Sequence, residues 1–176
     1  MKKLIFDVKY DDEKGLAKVA ALEFENFTDK VETNSYTQDC KIYSEYIPGE
    51  FYKRELPSIM LLIQNNIGIS KLKDEYDTSI VDGLYMLGKD HPGLGARLKQ
   101  ELLNNYDVDI EVIGIAKTYY KDCEQVAGIV YRGKDAIKPL YVNGSLQKNY
   151  VDIVKNMAGD YRLPYLVKQV DKLSRM

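Results

Sequence analysis

Tryptophan is absent from this 176-residue chain, histidine occurs once, at His91, and cysteine twice, at Cys40 and Cys123. One histidine cannot supply a histidine pair for zinc, and a serine–histidine–aspartate triad would rest entirely on His91. Two cysteines far apart make neither a disulfide framework nor a multi-cysteine zinc site, which fits a reducing cytoplasm. Long apolar runs are missing too: nothing approaches the roughly 20 residues that span a bilayer, so no membrane partner is expected. The opening MKKLIFDVKYDDEKG carries lysines and a short apolar stretch, but Asp7 interrupts it and no small-residue cleavage site follows. It reads as a strand rather than a signal peptide. Glycine-rich phosphate loops and dinucleotide fingerprints are lacking, which argues against nucleotide hydrolases and dehydrogenases. An excess of positive charge is lacking as well: 25 lysines and arginines face 27 acids, for a formal charge of −2. That balance weighs mildly against a phosphate-binding surface, leaving local groups such as Lys53 with Arg54, or Arg132, Lys134 and Lys138, as candidates.

What is present suffices for one core. The hydrophobic content is 45%, and this length suits a single domain covering 1–176. Strand patterns run from Lys3 to Tyr10 and from Leu16 to Phe24, joined by the polar turn DDEKG, with a third extended stretch from about Val31 to Tyr43. The period then changes: Leu56, Ile59, Met60 and Ile63 recur at helical spacing, with Pro57 expected in the first turn and Glu55 at the helix entrance. A short strand from Thr78 to Val81 ends at Asp82-Gly83. A helix bearing Leu94, Leu98 and Leu102 follows, then a strand from Asp109 to Ala116 and a hairpin of Val126–Tyr131 with Ile137–Val142. Two helices close the chain, one capped by Ser145 and carrying Leu146, Tyr150, Val154 and Met157 up to Gly159, the other opening near Pro164 with Val167, Val170 and Leu173 on one face. Antiparallel strands followed by alternating strands and helices predict an α/β fold, a mixed sheet with helices on both faces. The order fits a ribonuclease H-like fold.

Six segments carry a closer likeness. YIPGEFYKRELP at Tyr46–Pro57, IVDG at Ile80–Gly83, HPGLG at His91–Gly95, IGIAK at Ile113–Lys117, RGKDAIKPLYV at Arg132–Val142 and YRLP at Tyr161–Pro164 resemble, in order, the motifs of the endonuclease V family. That resemblance implies that the first and fourth strands lie side by side, so that Asp7 and Asp82 converge with Glu55 on magnesium, or manganese in its place. Carboxylates on strands with buried neighbours need a partner or a metal, because an isolated buried charge is costly. Lys117 resembles the lysine that contacts the scissile phosphate. Asp171 stands where the family has a histidine on its final helix, and the resemblance gives it a catalytic place as a fourth acidic group.

For the substrate, the resemblance implies a wedge and base pocket formed by Tyr46, Ile47, Pro48 and Gly49, with Gly83, His91 and Gly95 nearby. Two features depart from the family pattern. His91 lies nine positions after Asp82, a longer gap than usual, and Tyr85 stands where a pocket glycine is expected. The expected activity is a magnesium-dependent endonuclease that nicks a strand on the 3′ side of a deaminated base such as hypoxanthine, in DNA repair, acting on DNA or RNA as a monomer. Two alternatives stand beside it: a ribonuclease H-like nuclease on another DNA or RNA substrate, and a divergent nucleic-acid-binding module without catalysis. Asp82-Gly83 as a turn pair, Asp7 paired with a lysine and Glu55 favouring a helix dipole are the structural readings of the same residues.

Overall fold

The first strand decides how the molecule is layered. Successive side chains of a strand point to opposite faces, and along β1 (Lys2–Asp11) Leu4, Phe6 and Val8 enter one apolar cluster while Ile5 enters another. A strand buried on both faces needs cover on both. The computed structural model, which describes residues 1–47, 50–119, 126–131, 138–145, 149–158 and 163–176, supplies that cover. Besides β1 it contains β2 (Leu16–Phe24), β3 (Asn34–Lys41), β4 (Tyr76–Asp82), the short ribbon β5 (Met86–Gly88) with β6 (His91–Pro92), β7 (Glu111–Ala116), β8 (Gly128–Val130) and β9 (Leu140–Gly144). The helices are α1 (Tyr52–Leu62), α2 (Ile69–Glu75), α3 (Leu94–Tyr106), α4 (Tyr150–Ala158) and α5 (Tyr165–Ser174).

Seven strands form one mixed sheet in the order β3-β2-β1-β4-β7-β9-β8. The central β1, β4 and β7 are parallel, while β2 and β3 on one side and β9 and β8 on the other are antiparallel to their neighbours. Ile59 and Leu62 of α1, Leu72 of α2 and Leu98 and Leu102 of α3 cover the face of Phe6; Val154 of α4 and Leu166 and Val170 of α5 cover the face of Ile5. The register then fixes the functional end. Ile5 pairs with Ile80, and Ile80 with Ile113. Two positions on, along the same face, β1 presents Asp7 and β4 presents Asp82, and Lys117 follows the end of β7 on that face.

Several boundaries differ from the sequence expectation, each for a local reason. Pro57 lies inside α1 rather than in its first turn, because the helix already starts at Tyr52. The helical path continues through a π-helical turn at Ile63–Ile67 into α2, which the polar spacing of Gln64, Asn65 and Asn66 concealed. Ser145, expected as a helix cap, makes a sheet contact: its Oγ accepts the Val112 N–H at 2.9 Å, and its own N–H donates to the Val112 carbonyl at 2.9 Å, fastening the end of β9 to β7, while residues 146–148, which a cap would serve, lie outside the described residues. Leu146, Gly159 and the turn of the final hairpin lie outside the described residues, although β8 and β9 do pair antiparallel.

Far from the parallel strand ends, Glu23 is buried at 5% exposure. Burial pushes its carboxyl up, but bonds from Tyr76 Oη and Thr33 Oγ1 and the nearby Lys2 outweigh this and hold it below the ordinary range. A lowered value stabilises the fold above the unfolded-state value and is lost as pH falls through the folded one. Tyr76→Phe should therefore destabilise the protein by about 1–3 kcal/mol at pH 7, the cost of stripping a donor from a buried charge. Urea melts at pH 7 check this, and an unchanged midpoint would count against it.

Candidate active site

In open α/β sheets, ligands bind beyond the carboxyl ends of the parallel strands, and the acidic residues of β1 and β4 lie at that end. The next pair after Phe6 and Val81 is Asp7 beside Asp82. Over them packs α5, whose Val170 joins the core while Asp171 faces Asp7 closely enough for a side-chain hydrogen bond. A cavity of about 190 Å³ opens here, lined by Asp7, Asp82, Lys117 and Asp171 together with apolar Ile80 and Val170.

Glu55 arrives from the opposite face of the sheet. It sits in the first turn of α1, where a negative charge meets the positive end of the helix dipole. Phe51, just before the helix, lies against Gly83, whose φ of 143° and whose missing side chain make the approach possible: a Cβ there would come within 2.6 Å of the Phe51 ring. Gly114 has the matching role on β7, since a Cβ would fall 2.3 Å from the Gly83 carbonyl oxygen. The chain leaving Asp82 can thus cross tightly over β7. A second cavity of about 310 Å³ lies on this side, lined by Tyr46, Phe51, Glu55, Asp82, Gly83 and Lys117 among others. Asp82 and Lys117 border both cavities, which joins them into one site.

Electrostatics bind the acids together. Asp7 is pushed up from its ordinary 3.8 to about 7 by burial and by Asp82, with Asp171 adding to the rise and a hydrogen bond from Ser174 opposing it. Glu55 is held well above the ordinary carboxylate range by burial, Asp82 and Asp7, against the pull of Arg54. Asp82 is raised by the protein packed round it, opposed by Lys117 and reinforced by Asp171; one side of it remains open to solvent along the cleft. Buried carboxylates raised by their surroundings and by a neighbouring acid need a cation to be ionised together. Among the described residues no group of three or more Asp, Glu, His or Cys side chains stands close enough together to hold a metal ion between them. An open set of oxygen donors fits magnesium, which keeps several waters and takes one or two carboxylates directly.

The remaining candidates divide. Tyr46, 66% exposed, and Glu55 also line a groove on the β1 side, so Tyr46 stands at the rim of the site. Ile47 is 40% exposed and borders neither cavity, and Pro48 and Gly49 lie outside the described residues. His91 is exposed on β6 and borders neither cavity, and Gly95 packs against Tyr85 instead, where a Cβ would meet the Tyr85 Cα at 2.9 Å. Lys53 pairs with Glu50 at 3.3 Å, while Arg54 is buried, paired with Asp12 at 3.0 Å and stacked 3.6 Å over the Tyr10 ring. The expectation of a phosphate-binding pair there is corrected, because Arg54 has turned inward. Arg132 and Lys134 lie outside the described residues. Asp171 also pairs with Arg175 at 3.2 Å.

Two participants escaped the sequence reading. Ser174 was signalled only by its spacing, three residues after Asp171 and hence on the same helix face. Asn143, 4% exposed, carried no signal. Its Oδ1 accepts the N–H groups of Tyr85 at 2.7 Å and Met86 at 3.3 Å, and its Nδ2 donates to the Met86 carbonyl at 2.7 Å, clamping the loop after Asp82.

No family model matches this sequence, and no curated protein matches it. Solved structures do. Endonuclease V from Ciona intestinalis, in complex with a 24mer DNA containing an inosine followed by a ribo-adenosine, aligns with a TM-score of 0.74 and 19% identity over 99% of this chain and 84% of that one. Endonuclease V from Streptomyces avermitilis gives 0.69 and 20% over 99% and 80%, and that from Bacillus subtilis 0.68 and 20% over 99% and 78%. The chain has the fold of these proteins.

Proposed function

We propose that this chain is a divalent-metal-dependent endonuclease of the endonuclease V type, hydrolysing a phosphodiester on the 3′ side of a deaminated purine such as hypoxanthine, in DNA repair. The observation that carries the reading is the gathering of Asp7, Asp82 and Glu55 at the ends of the parallel strands, beside Lys117, where burial raises all three and Asp82 adds to the rise of Asp7 and Glu55. Such a cluster costs stability in the empty protein and is explained by a cation it is built to receive. Its occurrence on a fold shared with an enzyme crystallised on inosine-containing DNA supports the same substrate class.

Asp7, Asp82 and Glu55 would hold magnesium, with manganese as a substitute, and the bound ion would supply an activated water and stabilise the leaving oxygen. The chain's own groups account for the rest. Lys117, exposed at the cleft beside Asp82, offers its ammonium to a phosphate oxygen. Asp171 adds negative charge next to Asp7 and a place to hold water. The 310 Å³ cavity, at the lower end of small-molecule pockets of about 300–1,000 Å³, offers an extruded base the ring of Phe51. Tyr46 at its rim can fill the gap left in a duplex.

The position of His91 outside the cavity favours a second reading of the substrate, in which the same centre cuts another DNA or RNA. Labelled single- and double-stranded DNA and RNA, with and without inosine, incubated with magnesium, manganese or chelator, separate these. Cleavage confined to inosine strands, leaving 3′-hydroxyl and 5′-phosphate ends, supports the first reading. Equal cleavage of inosine-free strands supports the second, and no cleavage of any strand overturns both.

Tyr46→Ala is expected to reduce cleavage of a duplex about tenfold more than cleavage of a single strand, since base–aromatic stacking contributes about 1–3 kcal/mol and only the duplex has a gap to fill. Equal losses on the two substrates would remove the wedge assignment.

A further inference from the structure

Ser174 ends α5 and is 2% exposed. Its Oγ lies 3.0 Å from Asp7 Oδ2 and 2.8 Å from the backbone carbonyl oxygen of Asp171. It is therefore a three-way junction between β1, the acidic cluster and the last turn of α5. A buried serine whose only need is satisfaction could stop at the carbonyl three residues back, a common helical bond. Here the single hydroxyl proton is shared between that carbonyl and a carboxylate belonging to another element, 167 residues away in sequence.

Resting on the metal-centre reading, we propose that Ser174 is a positioning residue for the cation: it occupies Oδ2 of Asp7, leaves Oδ1 to face the cleft, and sets the spacing between Asp7 and Asp171. Three observations support it. The Asp7 carboxylate is half-buried on the sheet face of Ile5 and Ile80, near Val170 of α5, apolar side chains that cannot orient it. Apart from Asp171, whose carboxyl faces it, Ser174 is the one side-chain partner found for Asp7 among the described residues. Lys117 acts instead on Asp82. Without Ser174, the Asp7 side chain would be free to rotate about its terminal torsion, a broad and shallow one for aspartate. Groups that orient metal-binding carboxylates change metal affinity by about 10–100-fold when removed.

The test is titration of the metal-stripped full chain with Mn²⁺ alone, followed by electron paramagnetic resonance, for wild type, Ser174→Ala, Ser174→Cys and Ser174→Thr. Ser174→Ala and Ser174→Cys, the second preserving size but weakening the donor, should each bind Mn²⁺ about tenfold or more weakly. Ser174→Thr, which keeps the hydroxyl, should stay within about threefold of wild type on the same reasoning. In cleavage assays kcat at fixed Mn²⁺ should fall while KM for the oligonucleotide holds, because phosphate and base contacts are untouched. Wild-type affinity in both the alanine and cysteine variants overturns the role of Ser174 and leaves the metal centre standing. Absence of Mn²⁺ binding by the wild-type chain overturns both. A threonine variant as weak as alanine also overturns it, since the hydroxyl would then be shown irrelevant; circular dichroism confirms that each variant compared is folded.

Discussion

Asp7→Asn and Asp82→Asn are each expected to lower strand cleavage more than about a hundredfold while making the metal-free protein more stable. The activity estimate follows from the weaker case: losing a group that merely orients a metal-binding side chain costs about 10–100-fold, so losing a donor atom of the centre costs more. The stability estimate follows from the elevation of Asp7. Moving an aspartate from 3.8 to about 7 corresponds to about 4 kcal/mol at neutral pH. Water and counterions enter the open cleft at Asp82, and screening there reduces the expected gain to about 2 kcal/mol.

The two signs together are diagnostic. A carboxylate that serves only the fold, such as Glu23, loses stability when neutralised, as it does when Tyr76→Phe removes its donor. A carboxylate held against like charges for the sake of a ligand gains stability and loses function. Urea midpoints of the metal-free preparations, and cleavage rates of the same preparations once magnesium is added, read both. Full activity in either variant, or a fall in the midpoint comparable to the loss at Tyr76, would sink the assignment of these acids to a metal centre.

Most of the sheet could be read from the chain because its signals are local. The extent of β2 follows from its composition, and β1, β4 and β7 show apolar runs ended by Asp11, Asp82 and Lys117. The convergence of Asp7 and Asp82 follows once β1 and β4 are neighbours, since both stand on the face of Ile5 and Ile80. That adjacency came from family likeness rather than from periodicity, which says nothing about which strands pair. What stayed hidden depends on long-range contacts. Arg54 looked like a surface cation beside Lys53, yet the Tyr10 ring and Asp12 draw it inward. Nothing in the run around Ser145 showed that its Oγ would accept the Val112 N–H across the sheet. Asn143 and Ser174 are ordinary polar residues until the loop after Asp82 and the end of α5 are brought to them.

The same electrostatics predict how the protein responds to pH and to magnesium. Asp7 binds its proton more tightly in the folded state, so it stabilises the fold fully below the unfolded value of 3.8, and this contribution is lost as pH rises to about 7. Glu55, Asp82 and Glu111 are raised as well and act in the same direction. Glu23, lowered, acts oppositely, but only where it titrates, below the ordinary glutamate value of 4.5. Between pH 5 and pH 8 the metal-free protein should therefore lose about 1 kcal/mol from Asp7 alone after screening. At this chain length that is a drop in Tm of about 2–4 °C. Magnesium should reverse the drop at pH 8, where the acids are ionised: a concentration of about 100 times Kd adds about 2.7 kcal/mol. At pH 5 protons compete for the same oxygens, and the gain should shrink to a small fraction of that. Asp7→Asn should flatten the slope with pH and lose the response to magnesium. Scanning calorimetry of the wild-type and variant chains, with chelator or magnesium, measures all four quantities. A metal-free Tm that climbs steadily from pH 5 to pH 8, or a magnesium response equal at both, would show that the acids do not form one cation-receiving cluster.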